Sequence, residues 1–200
     1  MIKNPKYKII TFGCQMNKSD SERIEALLSG LGFYNTSDEK KADLILLNTC
    51  SVRETAEHRV YGKLNNFKKL KKKKPHLLIG VTGCMAGRDK DSALRKKLQM
   101  VDLFFGITDL PKLPKMIEKK WKNYRMSGVL HRASDSKEMD YLGIVPKPAE
   151  WWRGWVVIQT GCSKYCTYCV VPHARGHEKN RSITKILKEV RGLVKGGAKE

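Results

Sequence analysis

Apolar runs and amphipathic stretches alternate along the first 120 residues. YKIITF (7–12) predicts a buried strand. Ile24, Leu27, Leu28 and Leu31 then recur at helical spacing, predicting a helix from about Ser19 with Ser19 or Asp20 as N-cap and Gly30 or Gly32 as stop. ADLILLN (42–48) predicts a second strand, and Ala56, Val60, Leu64 and Phe67 share one face of a helix from about Arg53 to Leu70. HLLIGVTG (76–83) predicts a third strand before a helix near Asp89–Gln99. VDLFFG (101–106) predicts a fourth, before a helix over 109–120 whose first turn tolerates Pro111. Strands alternating with helices predict an α/β fold, a parallel sheet with helices on both faces.

Past residue 120 the pattern weakens. The polar stretch 121–150, with ASDSKE and PKPAE, reads as a linker or a small hairpin. GWVVIQTG (154–161) predicts a new strand, and SITKILKEVRGLVKGG (182–197) a helix with the apolar stripe Ile183, Ile186, Leu187, Val190 and Val194. The organisation is therefore an α/β domain over 1–120, a linker over 121–150, and one further βα unit over 151–200.

Composition narrows the setting. No run approaches the roughly 18 apolar residues of a membrane span, and MIKNPKYKII lacks the apolar core of a secretory signal. The expected location is the cytoplasm, with no membrane partner. Forty Lys and Arg against twenty Asp and Glu give a net charge of +20, which suits a polyanion such as a nucleic acid. The run KKLKKKKPH (68–76) is less specific, since it also reads as the solvated end of a helix. Six cysteines in a reducing compartment point to metal binding or catalysis rather than disulfides.

Four of those cysteines follow strand ends: TFGC (Cys14), LNTC (Cys50), VTGC (Cys84) and QTGC (Cys162). Ligands of open parallel sheets bind beyond the carboxyl ends of the strands. Cys14, Cys50 and Cys84 are spaced 36 and 34 residues apart, about one strand-helix unit each, so all three are expected at one sheet edge around a shared ligand. Cys162, Cys166 and Cys169 form a second trio, C-x3-C-x2-C. Zinc would complete that site with His173 or His177, whereas an iron–sulfur cubane would take three thiolates and leave one iron open. The spacing leaves both open.

TFGCQMNKSDSE, ADLILLNTCSVRETAEHRVYG, VTGCMA and GCSKYCTYCVVPHARGHEKNRS together resemble the methylthiotransferase family of radical S-adenosylmethionine enzymes, most closely its branch acting on N6-isopentenyladenosine in tRNA. The resemblance runs from about residue 7 to the C-terminus, interrupted over 121–150. It implies a flavodoxin-like N-terminal domain followed by the first βα unit of a partial TIM barrel. It also implies two [4Fe–4S] clusters, one radical cluster on Cys162, Cys166 and Cys169 that chelates S-adenosylmethionine, and one auxiliary cluster on Cys14, Cys50 and Cys84 where sulfur is attached. By the same resemblance Tyr168 lies near the adenosine moiety, and Arg175, Lys179 and Arg181 are candidates for cofactor or phosphate contacts. The implied partners are a tRNA anticodon loop, an electron donor and iron–sulfur assembly proteins.

A TIM-type barrel takes about 250 residues, and one strand with one helix cannot bury a core. The chain is therefore expected to be an N-terminal piece that does not complete turnover alone. Two other readings remain: a methylthiotransferase acting on a ribosomal-protein aspartate or on threonylcarbamoyladenosine, and a zinc-binding, RNA-associated module.

Overall fold

The structure is a computed structural model and describes residues 4–52, 54–121 and 140–200. The apolar runs form a five-stranded, wholly parallel sheet of β1 (Lys6–Phe12), β2 (Tyr34–Asn35), β3 (Leu44–Thr49), β4 (Leu78–Gly83) and β5 (Leu103–Phe104). Their order is 2-1-3-4-5, the flavodoxin-like order that the resemblance implied. Every residue of β3 and β4 is buried, because helices cover both sheet faces.

Alternation along β3 divides the interior in two. Leu44 and Leu46 join Ile24, Leu27, Leu28 and Leu31 of α1 (Gln15–Gly30) in one core. Ile45 and Leu47 join Val60, Leu64 and Phe67 of α2 (Glu54–Lys73) in the other. The predicted helical stripes are thus the packed faces.

Element ends differ from expectation, each for a local reason. α1 begins at Gln15, with Cys14 at its N-cap. The Asn17 side chain accepts the Cys14 N–H at 3.3 Å, so Ser19 and Asp20 are buried inside the helix and cap nothing. α2 continues to Lys73, its last-turn lysines suiting the negative end of the helix dipole. The helix expected near Asp89–Gln99 shortens to α4 (Ala93–Lys97), and a separate short helix not expected from the sequence, α3 (Cys84–Gly87), precedes it. Asp89 breaks them apart by accepting the N–H groups of Leu94 and Arg95 at 2.9 and 3.0 Å. The helix expected over 109–120 is a 3-10 segment, Ile107–Lys112, containing Pro111, then α5 (Leu113–Lys120) with Pro114 in its first turn. β2 is too short to show periodicity in sequence.

Residues 140–150 fall in the predicted linker, yet Tyr141 and Ile144 insert into the first core. Residues 122–139 of that segment lie outside the described residues. The strand expected over 154–161 is reduced to β6 (Gln159–Thr160), which pairs antiparallel with β7 (Lys179–Asn180). It has no parallel partner among the described residues. Between these strands lies α6 (Val171–Arg175), and after them α7 (Ile183–Lys195). The predicted stripe of α7 leaves Ile183, Leu187, Val190 and Val194 exposed, since nothing among the described residues covers it.

Polar contacts join this second region to α1. Arg23 and Arg181 both approach Glu189, Ser19 Oγ donates to the Trp155 carbonyl at 3.3 Å, and the Lys18 ammonium lies over the Trp155 ring. No helix among the described residues is long and apolar enough to cross a membrane.

Candidate metal centre

The sheet register brings three cysteines to one edge. Phe12 pairs with Thr49, and Thr49 with Gly83. Cys50 and Cys84 therefore follow at the same level on adjacent strands, and Cys14 stands one residue beyond that level on β1. The strand order reverses between β1 and β3, the crevice where such sheets bind ligands. Cys14 and Cys50 flank that crevice, with Cys84 on the next strand.

Each thiol has a different setting. Cys14 is partly exposed, its Sγ 3.5 Å from Asn17 Oδ1. Cys50 is buried and its Sγ accepts the Val52 N–H at 3.3 Å. Cys84 is buried and its Sγ accepts the Arg175 Nε–H at 3.3 Å. Gly83 precedes it at φ +90°, where a Cβ would stand 2.5 Å from both Asn48 Oδ1 and the Thr49 carbonyl. Only glycine fits this strand end.

A polar frame backs the thiols. Buried Asn48 donates to the Asn17 carbonyl at 2.8 Å and to Ser21 Oγ at 2.9 Å, and accepts from the Asn17 amide at 3.2 Å. Fully buried Asp20 receives Arg175 at 2.6 Å and the Tyr141 hydroxyl at 3.0 Å. Burial pushes the Cys84 thiol above its ordinary pKa against the pull of Arg175. Burial by itself would lower the Arg175 pKa, but the Asp20 carboxylate outweighs it and holds the guanidinium charged. The Tyr141 hydroxyl is raised by burial and then by Asp20.

The second trio sits on a loop. The Cys162 N–H donates to the Gly176 carbonyl at 3.1 Å, and the Cys169 N–H to the Cys166 carbonyl at 2.9 Å. Cys166 is exposed, with Cys162 and Cys169 half-buried. Tyr165 sets its ring edge-on to His173 and His177, at 6.4 and 5.8 Å between centroids.

All six cysteines are free thiols. Among the described residues no three Cys, His, Asp or Glu side chains gather tightly enough to hold a metal ion. The structure thus brings the first trio to one edge and the second to one loop, without closing either around a centre. The donor sets nonetheless fit an iron–sulfur group: they are soft, free thiols, and the first set borders the ligand crevice. Thr82 Oγ1, two residues before Cys84, is also buried with no hydrogen-bond partner among the described residues.

Two of the implied contact residues already have partners within the chain. The Arg175 guanidinium is buried on Asp20 and Cys84, so it faces the first cysteine site. Arg181 likewise donates to the Val157 carbonyl at 2.7 Å and pairs with Glu189. Tyr168 is 90% exposed and Lys179 is exposed, so both remain open to a ligand.

Asn17, Asp20, Asn48 and Tyr141 are the residues that sequence reasoning missed. A signal existed for the first two. The stripe Ile24, Leu27, Leu31 continues backwards at helical spacing to Asp20 and Asn17, so polar residues occupy core-facing positions where the helix meets the cysteine edge.

Residues 6–106 match the family described as Uncharacterized protein family UPF0004. Three curated relatives carry the name tRNA-2-methylthio-N(6)-dimethylallyladenosine synthase. The chain is 44% identical over 196 residues to the one from Carboxydothermus hydrogenoformans, covering 97% of this chain and 44% of the relative. It is 42% identical over 198 residues to that of Finegoldia magna, covering 98% and 42%. With the Staphylococcus haemolyticus relative it shares 42% over 202 residues, covering 100% and 38%. The chain spans about two fifths of the length of these relatives. Since the matched family segment takes up half of its residues, the chain belongs to the UPF0004 family.

Proposed function

We propose that the whole protein is a radical S-adenosylmethionine methylthiotransferase that modifies C2 of N6-isopentenyladenosine in tRNA. In this reading the present residues hold its two [4Fe–4S] clusters. The observation that carries the reading is the alignment of Cys14, Cys50 and Cys84 at the ends of three adjacent parallel strands. The names of the relatives support tRNA as the substrate.

When bound, the clusters supply electron transfer to S-adenosylmethionine and an iron that carries the sulfur to be inserted. The chain's own residues supply position and access. Cys14, Cys50 and Cys84 would hold the auxiliary cluster at the crevice, and Cys162, Cys166 and Cys169 the second cluster on the loop. The exposed Tyr168 ring is available to stack on the adenosine of S-adenosylmethionine. The net charge of +20 favours encounter with an RNA backbone, and a splayed anticodon loop presents the base for recognition. The protein works in the cytoplasm, with an electron donor and iron–sulfur assembly proteins as partners.

Anaerobic reconstitution tests the cluster reading. Roughly four irons per intact trio, with matching sulfide, are expected. The C14A/C50A/C84A and C162A/C166A/C169A variants should each retain one set. One tightly held zinc without sulfide would instead favour the Cys162–Cys169 loop with a histidine as a zinc site. For the substrate, tRNA from a deletion strain complemented with the full gene should regain the methylthio nucleoside by mass spectrometry. Recovery of methylthiolated threonylcarbamoyladenosine, or of a methylthiolated ribosomal-protein aspartate, would instead replace the substrate.

A further inference from the structure

Arg175 lies six residues after Cys169, in the segment of the second trio, yet its side chain ends at the first. Its Nη2 and Nη1 reach Asp20 Oδ2 and Oδ1 at 2.6 and 3.4 Å, while Nε donates to Cys84 Sγ at 3.3 Å. The guanidinium is planar, so the two-pronged grip on Asp20 fixes where Nε points. Tyr141, from the segment between the two regions, donates its hydroxyl to the same carboxylate at 3.0 Å. The backbone is equally constrained. A Cβ on Gly87 would stand 2.1 Å from the Ala174 carbonyl, so α6 is seated directly on α3, the helix that begins with Cys84.

Burying Arg175 and Asp20 together incurs a desolvation penalty that apolar residues of similar size would avoid. A guanidinium at this position can do what an apolar side chain cannot, which is to donate a charged hydrogen bond to a sulfur. Donors to the sulfurs of a metal site orient the ligand, which supports metal retention, and draw off negative charge, which raises the reduction potential.

We propose that Arg175 is a positioning residue for a cluster held at Cys84, clamping the segment after Cys162–Cys169 onto the first cysteine site. Through this clamp the order of one site supports metal retention at the other. The inference rests on the reading that Cys14, Cys50 and Cys84 hold an iron–sulfur cluster.

The test uses the chain carrying C162A, C166A and C169A, reconstituted with iron(II) and sulfide, so that only the first trio is loaded. Adding D20N and R175M together removes the donor without leaving a lone buried charge. This form is expected to keep the parental circular dichroism, to lose iron to a chelator at least about tenfold faster, and to show a lower cluster potential. R175K keeps the charge but not the fork, and should recover part of the potential while remaining leaky. In the iron-free chain, R175K should also speed iodoacetamide labelling of Cys84 relative to Cys50, read by mass spectrometry. Parental iron retention and potential in these variants, or unchanged Cys84 labelling, would overturn the role of Arg175 alone. A parent that binds no iron and sulfide would overturn the cluster reading and this inference with it.

Discussion

Cys50 and Cys84 directly follow neighbouring strands whose register is locked by six residue pairs, whereas Cys162, Cys166 and Cys169 lie on a loop tied mainly by backbone bonds to its own flank. In the first region folding itself positions the thiols, backed by buried Asn17, Asn48, Asp20 and Arg175. In the second, a small antiparallel pair and Tyr165 against two histidines do most of that work. The difference teaches that equal numbers of thiols need not mean equal preorganisation. Sites on regular elements have their conformational entropy removed by the fold, while loop sites leave some of it for ligand binding to remove.

The sharpest way to break the comparison is Gly83→Ala. A Cβ there meets two atoms at 2.5 Å from a left-handed backbone, so a loss of about 3 kcal/mol or more is expected. Thermal unfolding with an unchanged midpoint would remove the claim that this strand end is rigidly built. Asn48→Ala comes next. It strips Asn17 and Ser21 of partners inside the first region, and about 2 kcal/mol should be lost. Tyr165→Ala, in the loop, should stay within about 0.5 kcal/mol. Equal losses from urea melts would dissolve the contrast.

Thiol labelling sharpens the same contrast without mutation. Exposed Cys166 should react at least about tenfold faster than buried Cys50 and Cys84, which need local opening first. Comparable rates by mass spectrometry would show that the first region opens as readily as the loop.

Acid should act on the first region at its far end. Burial would raise the Asp43 carboxyl, but hydrogen bonds from Lys74 and from the Lys6 N–H outweigh it and hold it below the ordinary aspartate value. A depressed carboxyl contributes stability above its unfolded pKa and loses it as pH falls through the folded one. Asp43→Asn should therefore lower stability at neutral pH and flatten the acid limb of the stability profile. An unaltered limb would show that Asp43 does not carry it.

The smallest effect is expected at the seam between the regions. Glu22 accepts the Ala149 N–H at 3.2 Å, and burial raises its pKa. A raised carboxyl favours the fold at low pH and opposes it as pH rises through the folded value. Glu22→Gln should stabilise by about 0.5 kcal/mol or less at neutral pH, with the gain vanishing in acid. A gain that persists in acid would point to packing rather than charge.

Much of this was readable in the chain. Apolar alternation and helical spacing marked four of the five strands and the packed faces of α1 and α2, because those periods follow from local backbone geometry. The repeated cysteine after a strand end placed Cys14, Cys50 and Cys84 at one edge, and the register agrees. The strand within 154–161 is shorter than its apolar run, since such a run shows a preference for extension but not its hydrogen-bond partner. The buried roles of Asn17, Asp20 and Asn48 are not legible in the chain, because a polar side chain scores as surface wherever its buried partners are distant in sequence.

By itself, then, the sequence determined the α/β alternation, the two core faces and the six thiols with their spacing, all properties of neighbouring residues. Only the tertiary structure decided that Arg175 meets Asp20, 155 residues away, and Cys84, 91 residues away. A guanidinium has five donors and can satisfy them on phosphate, water or carboxylate alike. The folded arrangement selects among these, by burying the group where one carboxylate and one sulfur are within reach.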